Sequence, residues 1–266
     1  MAKRVATTII GLPILIALVA MGEFWLRMGL LGLSLVGLYE FYRSLSSGKM
    51  LYIHFSGYFF AVLYFVIILE AGWYSYFLVM ASAFVVFTQA MTVVFYKKTE
   101  IKDSLITICG FFYIPFLLSF IYFVRDSSVY FVWLIFISAS ASDTFAYLVG
   151  RVFGRHKLAG TPSPGKTIEG CIGGVAGAAL VGFLYGYVVT NFIGIDHPIV
   201  LNALTVSVMG AVFSQFGDFF ASAIKRSVGI KDFGRVLPGH GGVLDRFDSI
   251  IVAAPMIYMV MVWLNI

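Results

Sequence analysis

Charged residues are scarce in this chain of 266 residues. Asp, Glu, Lys and Arg make up 12% of it, about half of their usual share in soluble domains, and 61% of the residues are hydrophobic. With a mean hydropathy of +0.96, this composition excludes a soluble globular enzyme, a disordered segment and a coiled coil. It predicts an all-α, polytopic integral membrane protein, because a membrane-spanning helix needs about 20 mostly apolar residues.

Cysteine is equally rare, since only Cys109 and Cys171 occur. Each lies inside an apolar run, so the sequence favours small apolar core residues over a disulfide framework. No internal repeat is evident, and because inverted repeats with paired broken helices are typical of transporters, the sequence does not favour that class. The net charge of +5 reflects membrane topology and anionic head groups rather than nucleic-acid binding.

Long apolar runs predict nine membrane spans and two regions of different character. Residues 1–128 hold about five plain transmembrane helices, whereas residues 129–266 hold two long charged loops and are the expected catalytic domain. A cleaved signal peptide is a weaker interpretation of the first run, because a second run follows almost at once. The nine predicted spans are 5–22, 24–42, 51–71, 73–96, 101–124, 129–150, 170–193, 198–224 and 247–266.

Positive charge is distributed unevenly between the two sides of such a membrane protein. With nine spans, 16 of the 18 Lys and Arg residues fall on the side of the N-terminus and of the loops after spans 2, 4, 6 and 8. Only Arg27 and Arg125 fall on the other side. The positive-inside rule therefore predicts a protein of the cell (inner) membrane whose N-terminus and charged loops are cytoplasmic and whose C-terminus is outside.

Charged residues inside a span are costly, so each is a functional candidate by default. Asp143 lies seven residues before the cytoplasmic end of the sixth span, and Asp218 lies seven residues before Lys225, which follows the eighth. At 1.5 Å per residue, both carboxylates are expected about 10 Å below the cytoplasmic surface, which predicts one polar site near that face. Glu40, near the cytoplasmic end of the second span, is expected to lie at the membrane interface.

The loop after the sixth span carries a turn signal and a potential anion site. Residues 163–165 read Ser-Pro-Gly, a typical turn sequence. Lys166 and Thr167 come just before a helix start, where side-chain donors and the helix N–H groups together suit an anion. Glu169, in the first turn of that helix, remains open between a capping residue and a ligand.

The loop after the eighth span is richer in charge. Asp218, Ser222 and Lys225 are spaced i, i+4, i+7 and therefore share a helix face. Asp245 and Asp248 are spaced i, i+3 and share a face at the start of the last span.

Basic residues and glycines surround these carboxylates. The glycines between 239 and 242 permit close backbone approach and N–H groups that bind anions. Carboxylates hold Mg²⁺, which bridges phosphate oxygens, while Lys and Arg neutralise the remaining charge. The residues alone thus predict a site for a polyphosphate with a divalent metal.

A longer pattern runs through this second loop. It reads Ser222-x-x-Lys225-Arg226-x4-Lys231-Asp232-x-Gly234-x2-Leu237-Pro238-x-His240-Gly241-Gly242-x-x-Asp245-Arg246-x-Asp248. Over these 27 residues it resembles, at every defined position, the signature of the phosphatidate cytidylyltransferase (CDP-diacylglycerol synthase) family. The segment from Asp143 to Gly170 also resembles a second block of that family, so the resemblance covers residues 139–250.

This resemblance implies transfer of CMP from CTP to phosphatidic acid, giving CDP-diacylglycerol and pyrophosphate in phospholipid biosynthesis. It implies Mg²⁺ as cofactor, held by Asp218, Asp245 and Asp248, with a second metal or a monovalent cation left open. The residues implied to act in catalysis are Asp143, Asp218, Lys225, His240, Asp245 and Asp248. The residues implied to bind substrate are Ser163, Lys166, Thr167, Ser222, Arg226, Lys231, Gly241, Gly242 and Arg246.

The implied partners are CTP, phosphatidic acid and membrane lipid, without nucleic acid, and the resemblance also favours a homodimer. Glycines at four-residue spacing in the seventh span permit close helix approach, within one chain or between two. The role of His240 remains open between proton transfer and a loop-ordering hydrogen bond. The alternatives are a related CTP-dependent lipid kinase, an archaeal-lipid cytidylyltransferase, or an anion transporter, which the one-sided gathering of polar residues disfavours.

Overall fold

The computed structural model describes residues 11, 13–46, 53–68, 74–158, 162–193, 199–234, 236 and 241–266. Across these residues the chain is almost entirely helical, and no β-strand occurs in them. These residues contain an isolated antiparallel β-bridge between Lys157 and Thr167. The structure confirms the predicted all-α class.

Nine helices have defined bounds within this part of the chain. In chain order they are α1 (Glu23–Leu45), α2 (His54–Leu63), α3 (Tyr74–Val94), α4 (Ile101–Phe111), α5 (Phe120–Ser127), α6 (Val132–Phe153), α7 (Ile168–Ile193), α8 (Ile199–Ser227) and α9 (Leu244–Trp263). Wider π-helical turns follow α2 over Tyr64–Ile68 and α4 over Phe112–Phe116. The second contains Pro115, which has no N–H and cannot continue the regular hydrogen-bond ladder.

Seven helices of the described residues are long and apolar enough to cross a membrane. They are Glu23–Leu45, Tyr76–Val94, Ile101–Ser127, Val132–Phe153, Ile168–Phe192, Ile199–Ser227 and Leu244–Trp263. The third predicted span corresponds to a shorter apolar helix, His54–Ile67, and the first lies partly outside the described residues. These helices support a membrane protein, but they do not support the predicted count of nine spans.

The chain divides into two compact units. The first comprises Met1–Ser119 and Ile230–Arg246, and the second comprises Phe120–Gly229 and Phe247–Ile266. The first unit thus also contains most of the second charged loop. The division expected from the sequence between residues 128 and 129 stays a prediction.

Aromatic side chains fill the core of the first unit. Tyr42 of α1 is fully buried, its hydroxyl donates to the carbonyl oxygen of Thr107 at 3.1 Å, and its ring stacks on His54 with centroids 4.3 Å apart. Gly110 approaches the same ring so closely that a β-carbon there would lie 2.5 Å from the Tyr42 Cε1 atom. Tyr42 therefore ties α1 to α2 and α4.

Glycines bring the helices of the second unit into close contact. A β-carbon at Gly174 of α7 would lie 2.7 Å from the carbonyl oxygen of Ser142 in α6. A β-carbon at Gly186 would lie 2.8 Å from the Cα atom of Val200 in α8. These two glycines of the seventh predicted span thus serve packing within one chain, and their contacts give no support to the predicted homodimer.

Candidate active site

A cavity of about 300 Å³ in the second unit is lined by residues of α6, α7 and α8. Asp143 of α6 lines it, and so does Lys166, which comes just before α7. The Lys166 amine forms an ion pair with Asp218 of α8, and the charges of both residues act on Asp143. The two intramembrane carboxylates therefore belong to one cluster, the arrangement expected from their equal depth. The other lining residues are Ala146, Tyr147, Gly150, Arg151, Gly165, Thr167, Gly170, Cys171 and Gln215.

A turn and a helix cap position Lys166. Its backbone N–H donates to the carbonyl oxygen of Ser163 at 3.1 Å, which closes the predicted Ser-Pro-Gly turn. Thr167 then caps α7, because its hydroxyl accepts a hydrogen bond from the N–H of Gly170 at 3.1 Å. The Lys166 amine also lies 4.6 Å from the centroid of the Phe219 ring, within cation–π range. Backbone and side chain of Lys166 are thus both held in place.

Glu169 connects the end of α6 to the start of α7. Its carboxylate accepts hydrogen bonds from the backbone N–H groups of Arg155 and His156, both at 3.2 Å. It also pairs with the Nδ1 atom of His156 at 2.5 Å. These contacts order the segment that follows α6, and the two roles left open by the sequence, a capping residue or a ligand, stay predictions.

Gln215 of α8 is a lining residue that the sequence analysis missed. Its side chain is 9% exposed, and its Nε2 atom donates to the Ser142 hydroxyl and to the Cys171 carbonyl oxygen, both at 3.0 Å. These bonds join α8 to α6 and α7 next to Asp143 and about one turn from Asp218. The available signal was weak: one amide in an otherwise apolar run.

A second ion pair joins α8 to α9 in the same unit. The Nζ atom of Lys225 lies 3.9 Å from the Oδ2 atom of Asp248, and the two side chains are only 12% and 10% exposed. The other oxygen of Asp248 accepts a hydrogen bond from the N–H of Ser249 at 2.8 Å. Gly217 permits this approach, since a β-carbon there would lie 2.6 Å from the Asp248 carbonyl oxygen.

In the first unit, Asp245 organises the second charged loop. Its Oδ2 atom accepts hydrogen bonds from the N–H groups of Phe233, at 2.9 Å, and Gly242, at 3.0 Å. Gly241 has a φ of 86°, in the left-handed region that glycine adopts without strain. The carboxylate therefore draws the two ends of the loop together.

A cavity of about 650 Å³ in the first unit borders this loop. Arg43 and Ser44 line it from the end of α1, and Lys231 and Asp232 line it from the loop. The Ser44 hydroxyl donates to the carbonyl oxygen of Phe233 at 3.0 Å, which holds the loop against α1. Glu40 also lines this cavity, so two cations and two acids face it, beside apolar walls from Ile230, Phe233 and Val236.

Both cavities fall within one family match. Residues 2–264 match the model of the Cytidylyltransferase family. The chain belongs to the cytidylyltransferase family. Its similarity to curated members extends over the full length: a phosphatidate cytidylyltransferase of Staphylococcus haemolyticus is 32% identical over 268 residues, 98% of this chain and 99% of that relative.

Two further members of the family are similar over shorter stretches. A phosphatidate cytidylyltransferase of Thermotoga maritima is 40% identical over 149 residues, which is 56% of this chain and 55% of that relative. One of Staphylococcus epidermidis is 34% identical over 182 residues, 68% of this chain and 67% of that relative. The matched part of this chain thus spans about half of the Thermotoga protein and two thirds of the other.

The structure describes most, but not all, of the family signature. His240 lies outside the described residues. Ser222 is half-buried on α8, whereas Arg226, Lys231 and Arg246 are exposed. The role expected of His240 and the substrate contacts expected of the other four residues stay predictions, as do those of Gly241 and Gly242.

A divalent metal fits the chemistry of the carboxylates without a preformed cage. In the part of the chain that the structure describes, no three His, Cys, Asp or Glu side chains are grouped to hold a metal ion. Mg²⁺ commonly uses one or two carboxylates and takes its other oxygens from water and substrate phosphate, so a larger group is not required. Asp218 and Asp248 offer suitable oxygens beside lysine amines, and Asp245 offers a third carboxylate. Their assignment to metal stays a prediction.

Proposed function

We propose that this chain is a phosphatidate cytidylyltransferase, which transfers CMP from CTP to phosphatidic acid and releases pyrophosphate. Its full-length relative in Staphylococcus haemolyticus has that name. The structural observation that carries the proposal is the cluster of Asp143, Lys166 and Asp218 beside a cavity lined by membrane helices. Charge is costly in such helices, and a cation between carboxylates suits a phosphate ligand with a divalent ion.

In the proposed reaction, a phosphate oxygen of phosphatidic acid attacks the α-phosphorus of CTP. A new P–O bond forms, the bond between the α-phosphorus and the oxygen that leads to the β-phosphorus breaks, and pyrophosphate leaves with the bonding electrons. The attacking phosphate is already anionic, so the step needs no strong general base, and His240 can serve either of its two expected roles. Such transfers depend mainly on positioning and on charge stabilisation.

Basic residues supply part of that stabilisation. Lys166 is held by Asp218 and by the Phe219 ring, so its amine is ordered before a phosphate arrives. We propose that it binds the lipid phosphate, with Ser163 and Thr167 beside it in the chain. Lys225, Arg226, Lys231 and Arg246 are proposed to hold the triphosphate and to stabilise the pyrophosphate as it leaves.

Carboxylates complete the proposed site. Asp218, Asp245 and Asp248 are proposed to hold Mg²⁺, which when bound would neutralise the triphosphate and polarise its oxygens. Asp143 adds a polar group to the wall of the cavity and is proposed to act through a water that a bound metal would hold. The two ion pairs orient Asp218 and Asp248 among the surrounding helices.

We further propose that the site opens to the cytoplasm. The support is the distribution of Lys and Arg, 16 of 18 of which fall on one side of the predicted spans. CTP would then arrive from water, while phosphatidic acid would arrive from the bilayer with its head group at the depth of Asp143.

The decisive experiment follows the label of CTP into lipid. Purified protein receives phosphatidic acid, Mg²⁺ and CTP labelled either in the α-phosphate or in the γ-phosphate. We expect the α label to enter the lipid fraction in a one-to-one ratio with released pyrophosphate, while the γ label stays in water. Transfer of the γ label to lipid would instead identify a lipid kinase, and the absence of both labels from lipid would refute the proposal. A reaction without phosphatidic acid is the control.

A further inference from the structure

Glu40 is the most completely buried carboxylate that the structure describes in the first unit. It lies near the end of α1, and its side chain is only 1% exposed, because other parts of the chain cover it. Its Oε1 atom accepts a hydrogen bond from the N–H of Val243 at 3.0 Å, and its Oε2 atom accepts one from the N–H of Leu244 at 2.8 Å. Leu244 is the first residue of α9.

The same carboxylate lies in close contact with two glycines of the second charged loop. A β-carbon at Gly242 would lie 2.5 Å from the Oε2 atom of Glu40, and a β-carbon at Gly234 would lie 2.5 Å from its Cδ atom. Contacts this short mean that only glycine fits at both places without a shift of the loop or of Glu40. The loop therefore approaches Glu40 at residue 234 and again at residue 242.

Further contacts close the loop around this point. The Ser44 hydroxyl, one turn after Glu40, donates to the carbonyl oxygen of Phe233. Asp245 accepts hydrogen bonds from the N–H groups of Phe233 and Gly242. The backbone near residues 233 and 242, which flank the segment between Lys231 and Asp245, is thus tied to α1 by two side chains of that helix.

A buried carboxylate is a costly way to fill space, because it must be desolvated. At a helix N-terminus that cost is offset, since the free N–H groups and the helix dipole favour a negative charge. In the described contacts, both carboxylate oxygens of Glu40 accept hydrogen bonds from backbone N–H groups. The side chain therefore fixes the path of the main chain rather than binding a particular ligand.

We propose that Glu40 is a positioning residue for nucleotide transfer. It holds the second charged loop and the first turn of α9 in the conformation that presents Lys231 and Asp245. Glu40 also lines the cavity of the first unit, but both of its oxygens already accept backbone hydrogen bonds, so in this role it contacts neither substrate nor metal. The inference rests on the proposed function for its catalytic consequence, but the order that Glu40 gives to the loop is independent of that function.

The kinetic test compares Glu40→Gln and Glu40→Ala with Glu23→Gln, which changes an exposed acid at the other end of the same helix. Misplacing reactive groups by about 1 Å can cost about a hundredfold in rate, so we expect kcat to fall about a hundredfold for Ala. The Glu40→Gln variant keeps one acceptor oxygen, so its kcat should fall only about tenfold. We also expect the KM for CTP to rise at least about fivefold in both, because the loop carries the proposed nucleotide ligands. Glu23→Gln should match the parent.

A merely structural role predicts a different result. Partial unfolding lowers the number of active molecules and therefore the maximal rate, but it leaves the KM for CTP unchanged. An unchanged KM in Glu40→Gln would overturn the proposal, as would equal activity of the Gln variant and the parent. If Glu40→Ala does not accumulate in membranes, the Gln variant alone decides, because it keeps the size of the side chain.

Hydrogen exchange tests the loop without any activity. In Glu40→Gln we expect the amides of residues 241–246 to exchange at least about tenfold faster, while those of α4 stay unchanged. Gly234→Ala should speed the exchange of the same amides. In the double variant with Glu40→Ala, the Gly234 substitution should add little further exchange, because removing the carboxylate makes room for the methyl group. Unchanged exchange, or fully additive effects, would refute the role of Glu40. If the parent makes no CDP-diacylglycerol, the proposed function fails, and this measurement still judges Glu40.

Discussion

One methyl group at Gly174 tests whether the close approach of α6 and α7 builds the cavity. In Gly174→Ala the new β-carbon would lie 2.7 Å from the Ser142 carbonyl oxygen, 2.9 Å from the Gln215 Nε2 atom and 3.1 Å from the Ala146 β-carbon. The carbonyl belongs to the α6 backbone and cannot rotate away. The two helices must therefore separate, and Asp143 moves with α6 while Lys166 moves with the start of α7.

The size of the effect follows from these distances. An ordinary contact begins at 3.4 Å, so the helices must part by about 0.7 Å at this level. Such overpacking costs about 1–3 kcal/mol, of which the better helix propensity of Ala returns up to about 1 kcal/mol. The net destabilisation of up to about 2 kcal/mol lowers the melting temperature by up to about 8 °C. A shift of this size between reacting groups should lower kcat/KM about tenfold to a hundredfold.

The assay measures CDP-diacylglycerol formation and the melting temperature of the same detergent-purified sample. Gly32→Ala in α1 is the matched control, because its β-carbon would have nothing within 4 Å and gains helix propensity alone. We expect that variant to keep the parent activity and to melt at the same temperature or slightly higher. Parent-like activity and melting in Gly174→Ala would show that the contact does not set the geometry of the cavity.

Four further outcomes are expected. Asp218→Asn should lose about a thousandfold in activity, as expected for a group that helps to hold Mg²⁺, yet keep a melting temperature near that of the parent, because Asp143 still faces Lys166; joint loss of fold and activity would indicate a structural carboxylate. In Cys109→Ser, a thiol reagent should block activity through Cys171, which lines the cavity, and CTP with Mg²⁺ should protect it; equal inhibition of Cys171→Ser would argue against this. In intact cells, Arg155→Cys should resist an impermeant reagent added outside, and labelling would reverse the proposed orientation. The detergent-corrected mass should be twice the 29.4 kDa of one chain, and a single-chain mass in several mild detergents would contradict the predicted homodimer.

Local patterns in the sequence predicted the parts of this structure that depend on neighbouring residues. The apolar runs located the long helices because length and hydropathy are properties of one segment. The Ser-Pro-Gly turn before Lys166 followed from three adjacent residues. The equal distance of Asp143 and Asp218 from the ends of their predicted spans indicated their convergence, because spans of similar length place equivalent positions at one level.

Contacts between distant segments were beyond such reasoning. The glycine spacing in α7 predicted close approach, but not that Gly174 would meet α6 and Gly186 would meet α8. The burial of Glu40 was not predicted, because the backbone groups that it contacts lie more than 200 residues away. Gln215 was missed for the same reason, since an amide has no visible role until Ser142 and Cys171 are beside it.

The division of the first unit between two chain segments has a consequence during synthesis. Glu40 is synthesised 203 residues before Val243, from whose N–H it accepts a hydrogen bond in the folded protein. At about 5–20 residues per second, a ribosome needs about 10–40 s to cover that distance. During this interval the acid of the nascent α1 lacks the backbone donors that stabilise it, so it must stay near the membrane surface or be shielded by the insertion machinery. Nascent chains that stop before residue 243 should therefore be preferred targets of membrane quality control.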